Sequence, residues 1–281
     1  MSKIAIVTDS TANLSKESIE EYQIHTLPLK IEWEGKTYLD GIDITSKEFY
    51  PLLEKCSDLP TTSQPTIDDF LTKFEELAAD HDGIVVPLIS SGLSGTCASA
   101  WAAMKRFDKI PVEVIDTKST SGAQVLVVLA AARAASAGKN FAEVTQVAQT
   151  AVDNMHTFFV VDTLKYLHKG GRIGGASRYL GATLNIKPIL YLNSEGKIDA
   201  LEKVRTKKKA HKRLISLAHE SADGNKVCVG LMHAAAPDEA EQVRQELEKQ
   251  VTCSEVITVE ISPAIGTHVG PGTIGIALYQ I

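Results

Sequence analysis

The chain has 281 residues, 44% of them hydrophobic and 23% charged, with a formal net charge of -6. That length serves one large domain or two ordinary ones, with a core that needs no covalent staples. The acidic balance argues against a dedicated nucleic-acid binder, which carries a basic excess, and the longest apolar run, Val125 to Ala132, ends at Arg133, far short of the roughly 20 residues of a bilayer span.

Lys3 to Val7 reads as a buried strand closed by Thr8-Asp9-Ser10, and Asn13 to Tyr22 as a helix. His25 to Trp33 is a second extended segment, followed by a turn at Gly35-Lys36. Thr45 with Glu48 and Thr66 with Asp69 have the capping-box spacing, so each pair predicts a helix start. Gly83 to Leu88 is a short apolar run between polar flanks, the pattern of a buried parallel strand. Ser99 to Arg106 reads as a helix, Val112 to Ile115 as a strand ending at Asp116, and Gly122 to Ala137 and Phe141 to Met155 as helices separated by Gly138.

The pattern then restarts. Thr157 to Val161 reads as a strand and Leu164 to His168 as a short helix running into Gly170-Gly171. Pro188 to Leu192 and Lys197 to Leu201 form a hairpin around Asn193 to Gly196. Lys207 to Glu220 and Asp238 to Gln250 read as helices, and Val227 to Met232, Glu255 to Ile261 and Gly275 to Tyr279 as strands. The expected architecture is therefore α/β in two α/β domains, 1–156 and 157–281, the first with a mainly parallel sheet flanked by helices. No Pro/Gly/Ser linker separates them, so the halves are expected to pack tightly and share a cleft. The apolar run at the N-terminus is too short for a signal-peptide core, which predicts a cytoplasmic protein. Cys56, Cys97, Cys228 and Cys253 show no metal-type C-x-x-C spacing and read as reduced thiols.

Four polar, glycine-bearing segments stand out: Pro60 to Pro65, Ser90 to Thr96, Lys169 to Gly174 and Gly266 to Gly272. The second follows a strand and opens a helix, the setting of an anion site built from converging N–H groups, or of a capped tight turn. In the first, two prolines hold Thr61 and Thr62 in place, though Thr66 alone would explain the loop as a helix cap. Arg172 among glycines can approach a carboxylate or phosphate bidentately, or simply sit in solvent, and His268 likewise reads by default as an exposed histidine. Asp9 and Asp116 end strands at one expected sheet edge, as turn-capping carboxylates or as metal or catalytic ones. There is no Walker A sequence, no H-E-x-x-H, no G-x-S-x-G elbow and no dinucleotide fingerprint. Lys203 to Arg213 holds seven basic residues, a solvated helix face or a patch for an acidic partner or an anionic membrane.

Taken in order, Thr8-Asp9-Ser10-Thr11, Thr62-Ser63-Gln64-Pro65, Ser90 to Thr96, Asp116-Thr117-Lys118, Lys169-Gly170-Gly171-Arg172-Ile173 and His268-Val269-Gly270-Pro271-Gly272 resemble the DegV family across residues 3–280 or so. The resemblance implies two α/β domains with a long-chain fatty acid, such as a C16–C18 acid, bound in the interior between or near them. It implies the role of the fatty-acid-binding subunit of bacterial fatty acid kinase. Such a subunit is not an enzyme on its own: it presents the acyl carboxylate to a separate ATP-binding kinase subunit, giving an acyl phosphate for phospholipid synthesis. Carried over by motif, Thr62 and Ser94 match the carboxylate contacts, with Thr61, Ser63, Gly95 and Thr96 as the supporting loops. Arg172 and His268 match positions that meet the kinase or the acyl phosphate. No metal, no cofactor beyond the fatty acid and no nucleic acid are implied. Where the family writes Tyr after Ser-Gly-Thr, this chain has Cys97, which is expected to change packing near the head group and with it which acyl chains fit. A competing reading makes Ser94 a nucleophile and His268 its base in an acyl hydrolase or transferase, which requires the two within about 2.6 to 3.2 Å.

Overall fold

The computed structural model describes residues 3–181 and 186–281; Met1 and Ser2, which open the first apolar run, and residues 182–185 in the second half lie outside the described residues. In chain order the first half holds β1 (Ile4–Asp9), α1 (Lys16–Tyr22), β2 (His25–Leu27), β3 (Lys30–Trp33), β4 (Lys36–Leu39), α2 (Ser46–Leu53), β5 (Thr61–Ser63), α3 (Ile67–Leu77), β6 (Gly83–Leu88), α4 (Thr96–Met104), β7 (Val112–Asp116), α5 (Ser121–Ser136) and α6 (Phe141–Asp153). The second half holds β8 (His156–Val160), α7 (Lys165–Lys169), β9 (Lys187–Leu192), β10 (Ile198–Val204), α8 (Lys207–Ala222), β11 (Val227–His233), α9 (Pro237–Glu248), β12 (Cys253–Glu260), α10 (Pro263–Val269) and β13 (Ile274–Gln280).

Strands β2-β1-β6-β7 form a sheet whose pairings are all parallel. Its two central strands, β1 and β6, are buried along their full length, as an apolar run covered by helices on both faces requires. A second sheet, in the order β10-β9-β8-β13-β11-β12, is mixed, parallel only between β11 and β12. A small antiparallel sheet, β4-β3-β5, lies beside them. The chain is thus α/β, with a parallel sheet flanked by helices and a second, mixed sheet.

Helix α5 joins the two large sheets. It packs on β1 and β6 of the parallel sheet and on β11, β12 and β13 of the mixed one. Its apolar residues run all round the helix, and nearly every side chain is buried, as expected of a helix with protein on every side. Gly122 makes the closest approach possible, because a Cβ there would lie 3.2 Å from the backbone of Gly230 in β11.

Several local expectations change. His25 to Trp33 is not one strand: β2 pairs with β1 and β3 with β4 and β5, because Pro28 between them has no N–H for a ladder. Helix α1 starts at Lys16 with Ser15 as its N-cap, since Asn13 is left-handed. The capping boxes at Thr45 and Thr66 form, and a third forms at Asn140 with Glu143. Two supposed loops are regular structure. Thr62 lies on β5, and His268 lies in the last turn of α10, which Pro263 opens at the first helical turn and Gly270 closes.

Candidate functional site

A cavity lies where the sheets, β5 and α10 meet. Its walls come from both halves of the chain and are mostly apolar, with Leu29, Leu93, Leu192, Ile198, Ile261 and Ile265 among them. Thr62, Ser63, Ser94, Arg172 and His268 also line it. Thr61, Gly95 and Thr96 do not: Thr61 is exposed on β5, Gly95 packs on the Gln64 side chain, and Thr96 is fully buried beneath Ser94.

Thr62 is positioned by β5, which pairs it with Ile31 of β3. Its Oγ1 lies 2.8 Å from His268 Nε2. His268 is held by α10, which is anchored at its start by side chains from elsewhere in the fold. Asp40 accepts the Ala264 N–H at 3.1 Å and the Ser10 hydroxyl at 2.7 Å. Tyr50 and Ser46 from α2 both donate to the Ile261 carbonyl, at 2.8 and 3.1 Å. Burial pushes the Asp40 carboxyl up to about 6, against the pull of the bonds it accepts.

The other face of the His268 ring rests on bare backbone. A Cβ at position 170 would lie 2.2 Å from His268 Nδ1, so only glycine admits the ring there. Nδ1 has no hydrogen-bond partner among the described residues. Burial, helped by the Arg172 charge, pulls the imidazole down to about 4, so it is neutral at pH 7.

Ser94 ends the loop after β6. The Leu93 and Ser94 N–H groups both donate to the Ser90 carbonyl, at 3.0 and 3.1 Å, and the Ser90 hydroxyl donates to the Gly196 carbonyl at 2.8 Å. The Ser94 hydroxyl pairs with Thr96 Oγ1 at 2.9 Å, at the start of α4. Arg172 bridges the two sides of the site. Its Nε donates to the Leu93 carbonyl at 3.2 Å and its Nη1 to the Gly170 carbonyl at 2.8 Å. The guanidinium remains exposed at the rim. It is neither a free surface arginine nor a buried ion-pair partner.

This geometry does not assemble the serine hydrolase. His268 Nε2 is engaged with Thr62, and Ser94 with Thr96. Among the described residues no carboxylate orients the histidine, and a base with a value near 4 is weak for that chemistry. Asp9 is fully buried and accepts from the Thr11 and Ile89 N–H groups and from Gln124. Asp116 accepts from Ser91 N, Ser91 Oγ and Lys118 N. Both carboxylates are used in pinning turns. Cys97 is buried beneath the α4 start, donates to the Ile89 carbonyl and packs with Phe70, Leu88 and Val114. It does not line the cavity, so the expected effect on acyl-chain fit has no contact to carry it. In the basic stretch, Lys207 pairs with Asp162 and Glu239, and Arg213 with Glu202 and Glu220. Lys208, Lys209 and Lys212 stay exposed on α8.

Sequence reasoning missed Gly170 as the seat of the histidine, α10 as its carrier and the buried Asp40. The pair Ser262-Pro263 was the available signal for α10, since Pro is favoured at a first helical position after such a residue. A model described as "Uncharacterised protein, DegV family" matches residues 3–280. The chain belongs to the DegV family. Among curated relatives, "Protein DegV" of Bacillus subtilis is 36% identical over 275 residues, covering 97% of this chain and 98% of its own. Two solved structures superpose over nearly the whole chain. "Fatty Acid Binding of a DegV family Protein from Thermus thermophilus" is 32% identical with a TM-score of 0.94, covering 99% of this chain and 100% of that one. "DegV, a fatty acid binding protein from Bacillus subtilis" is 35% identical with a TM-score of 0.91 over 100% of both chains.

Proposed function

We propose that this protein binds a long-chain fatty acid in the cavity and presents its carboxylate to a separate ATP-binding kinase subunit, which phosphorylates it to an acyl phosphate for phospholipid synthesis. The observation that carries the reading is an apolar cavity with polar groups, Thr62, Ser94, His268 and Arg172, gathered from both halves of the chain. DegV-family structures of similar fold are described as fatty acid binding.

The chemistry divides by region. Burying about 14 methylenes at roughly 0.8 kcal/mol each gives on the order of 11 kcal/mol before the costs of association. The head-group bonds add about 1 to 3 kcal/mol each and set orientation. In the tautomer with the proton on Nε2, His268 donates to Thr62 Oγ1, which frees the threonine hydroxyl to donate to a carboxylate oxygen. The Ser94 hydroxyl, at the start of α4, takes the other oxygen. Arg172, exposed at the rim, meets the phosphoryl group or the kinase rather than the resting carboxylate. Lys208, Lys209 and Lys212 offer an anionic surface, such as a membrane, a second point of contact.

The test is organic extraction and mass spectrometry of protein purified from bacteria, followed by titration of the delipidated chain with palmitate and stearate. A released long-chain acid and saturable binding are expected. No lipid, and no thermal shift with added fatty acid, would refute the proposal.

A further inference from the structure

Besides Thr62 and Ser94, the cavity wall carries two hydroxyls that the fold does not use. Thr120 and Ser121 both line the cavity, and neither Thr120 Oγ1 nor Ser121 Oγ has a hydrogen-bond partner among the described residues. Ser121 is 1% exposed. The two residues stand at the start of α5, where Thr120 occupies the N-cap position but its side chain makes no capping bond. Ser121 has a φ of 52°, a left-handed conformation rare for a residue with a Cβ and found where the surroundings enforce it. Gly122, next along the chain, is pinned against Gly230. Two other wall hydroxyls are satisfied: Thr157 Oγ1 pairs with Ser119 Oγ at 3.3 Å, and Thr273 donates to the Val269 and Gly270 carbonyls at 3.1 and 3.0 Å.

Phe159, Leu192, Ile198 and Met232 line the same cavity. A hydroxyl without a partner in such surroundings is unfavourable, and the N-terminus of a long helix adds unsatisfied N–H groups beside it. We propose that Thr120 and Ser121 form a second polar station in the cavity, which takes an oxygen carried on the acyl chain, so that the ligands include hydroxylated long-chain fatty acids. This rests on fatty-acid binding in the same cavity and specifies its substrate class. A plain alkyl tail leaves both hydroxyls unpaired. A tail with a hydroxyl at the matching carbon donates to one and accepts from the other, and it loses less on leaving water than a hydroxylated tail in a purely aliphatic tunnel.

The experiment uses the delipidated full chain, titrated by displacement of a fluorescent fatty acid with stearate and with a set of its monohydroxy positional isomers. One internal isomer is expected to bind about tenfold more tightly than the isomers on either side of it. Ser121→Ala and Thr120→Val should erase that preference while leaving stearate within about twofold. Ser121→Gly, which suits the left-handed backbone, serves if the alanine variant does not fold. Equal weakening by every hydroxyl position in the wild-type chain would overturn the inference. So would a loss of stearate affinity in Ser121→Ala as large as in Thr62→Ala, which would make these hydroxyls part of the carboxylate site. Failure of stearate itself to bind would overturn the fatty-acid reading, and the inference with it.

Discussion

Replacing Gly170 by alanine tests how the head group is held, because it adds one methyl group at a known place. The residue has a φ of -77° and a ψ of -4° as the cap of α7, so alanine suits the backbone and the effect is steric alone. The new Cβ would lie 2.2 Å from His268 Nδ1 and 3.1 Å from the Tyr166 carbonyl oxygen. The carbonyl is fixed in the helix, so the imidazole must move, and with it the 2.8 Å bond to Thr62. Overpacking of this kind costs about 1 to 3 kcal/mol, which at this chain length lowers Tm by roughly 2 to 6 °C. The lost bond to a ligand-facing hydroxyl should weaken palmitate binding about 5- to 10-fold. A ring driven out of its seat also regains solvent, so its titration, followed by NMR of the imidazole, should move from about 4 towards its ordinary 6.5. In a His268→Ala background the same substitution should add little, since the clash has no partner. Unchanged palmitate affinity, together with a histidine still titrating near 4, would refute the placement of His268 on Gly170.

Four other outcomes follow from the geometry. Thr62→Ala and Ser94→Ala should each weaken palmitate binding about 5- to 100-fold by removing one carboxylate bond; titration of both variants checks this, and unchanged affinity would move the carboxylate elsewhere. Arg172→Ala should leave binding within about twofold and lower acyl-phosphate formation by the kinase with ATP, because the guanidinium stands at the rim on two carbonyls; loss of lipid binding would contradict that division of roles. His268 stays neutral in the native state down to about pH 4 while the unfolded chain protonates it near 6.5, so stability falls as pH drops through that window, by about 3 kcal/mol at most. Asp40 acts in the opposite sense, because its native value of about 6 against 3.8 unfolded makes the folded state bind the extra proton there; Asp40→Asn should therefore steepen the acid loss in urea midpoints measured between about pH 4 and 6.5, and an unchanged slope would contradict it. Gly230→Ala, with a Cβ 2.4 Å from the Gly122 carbonyl oxygen, should destabilise the joint between α5 and the mixed sheet by about 1 to 3 kcal/mol, read as a lowered denaturation midpoint.

What could be read in advance follows the range of the forces involved. β1 and β6 were legible because a strand covered on both faces is a continuous apolar run, and α2 and α3 because their capping boxes are complete within four residues. The β9–β10 hairpin was legible from its turn, though not the bulge between Ala200 and Glu202. The position of β13 between β8 and β11 was not, since no local pattern encodes which distant strands a strand will join. Helix α10 was hidden because Gly266 and Gly270 look like loop residues; Gly266 is there because a Cβ would lie 2.6 Å from the Tyr50 hydroxyl oxygen. Ser94 and Thr62 stood out as polar residues in polar segments. The contact between Thr62 and His268 spans 206 positions and needed the fold.

On the proposed function, the polar end of the cavity holds its anion weakly. Of its four groups, two are hydroxyls, one is an imidazole kept neutral by burial, and the single permanent cation, Arg172, is exposed and already bonded to two carbonyls. A buried arginine would bind a carboxylate through two charge-assisted bonds and withdraw its charge. On the proposed function, two hydroxyl donors, one of them oriented by the neutral imidazole, hold the same carboxylate while leaving its oxygens more basic, and so better able to attack a phosphorus atom. On the proposed function the tail supplies the affinity, so the head group can be held loosely without losing the ligand. The same proposal gives the one cation a role where charge increases: phosphorylation turns a monoanion into a group with more negative charge, which the exposed Arg172 would meet. Removing Arg172 is therefore expected to affect the product and its transfer more than the resting acid.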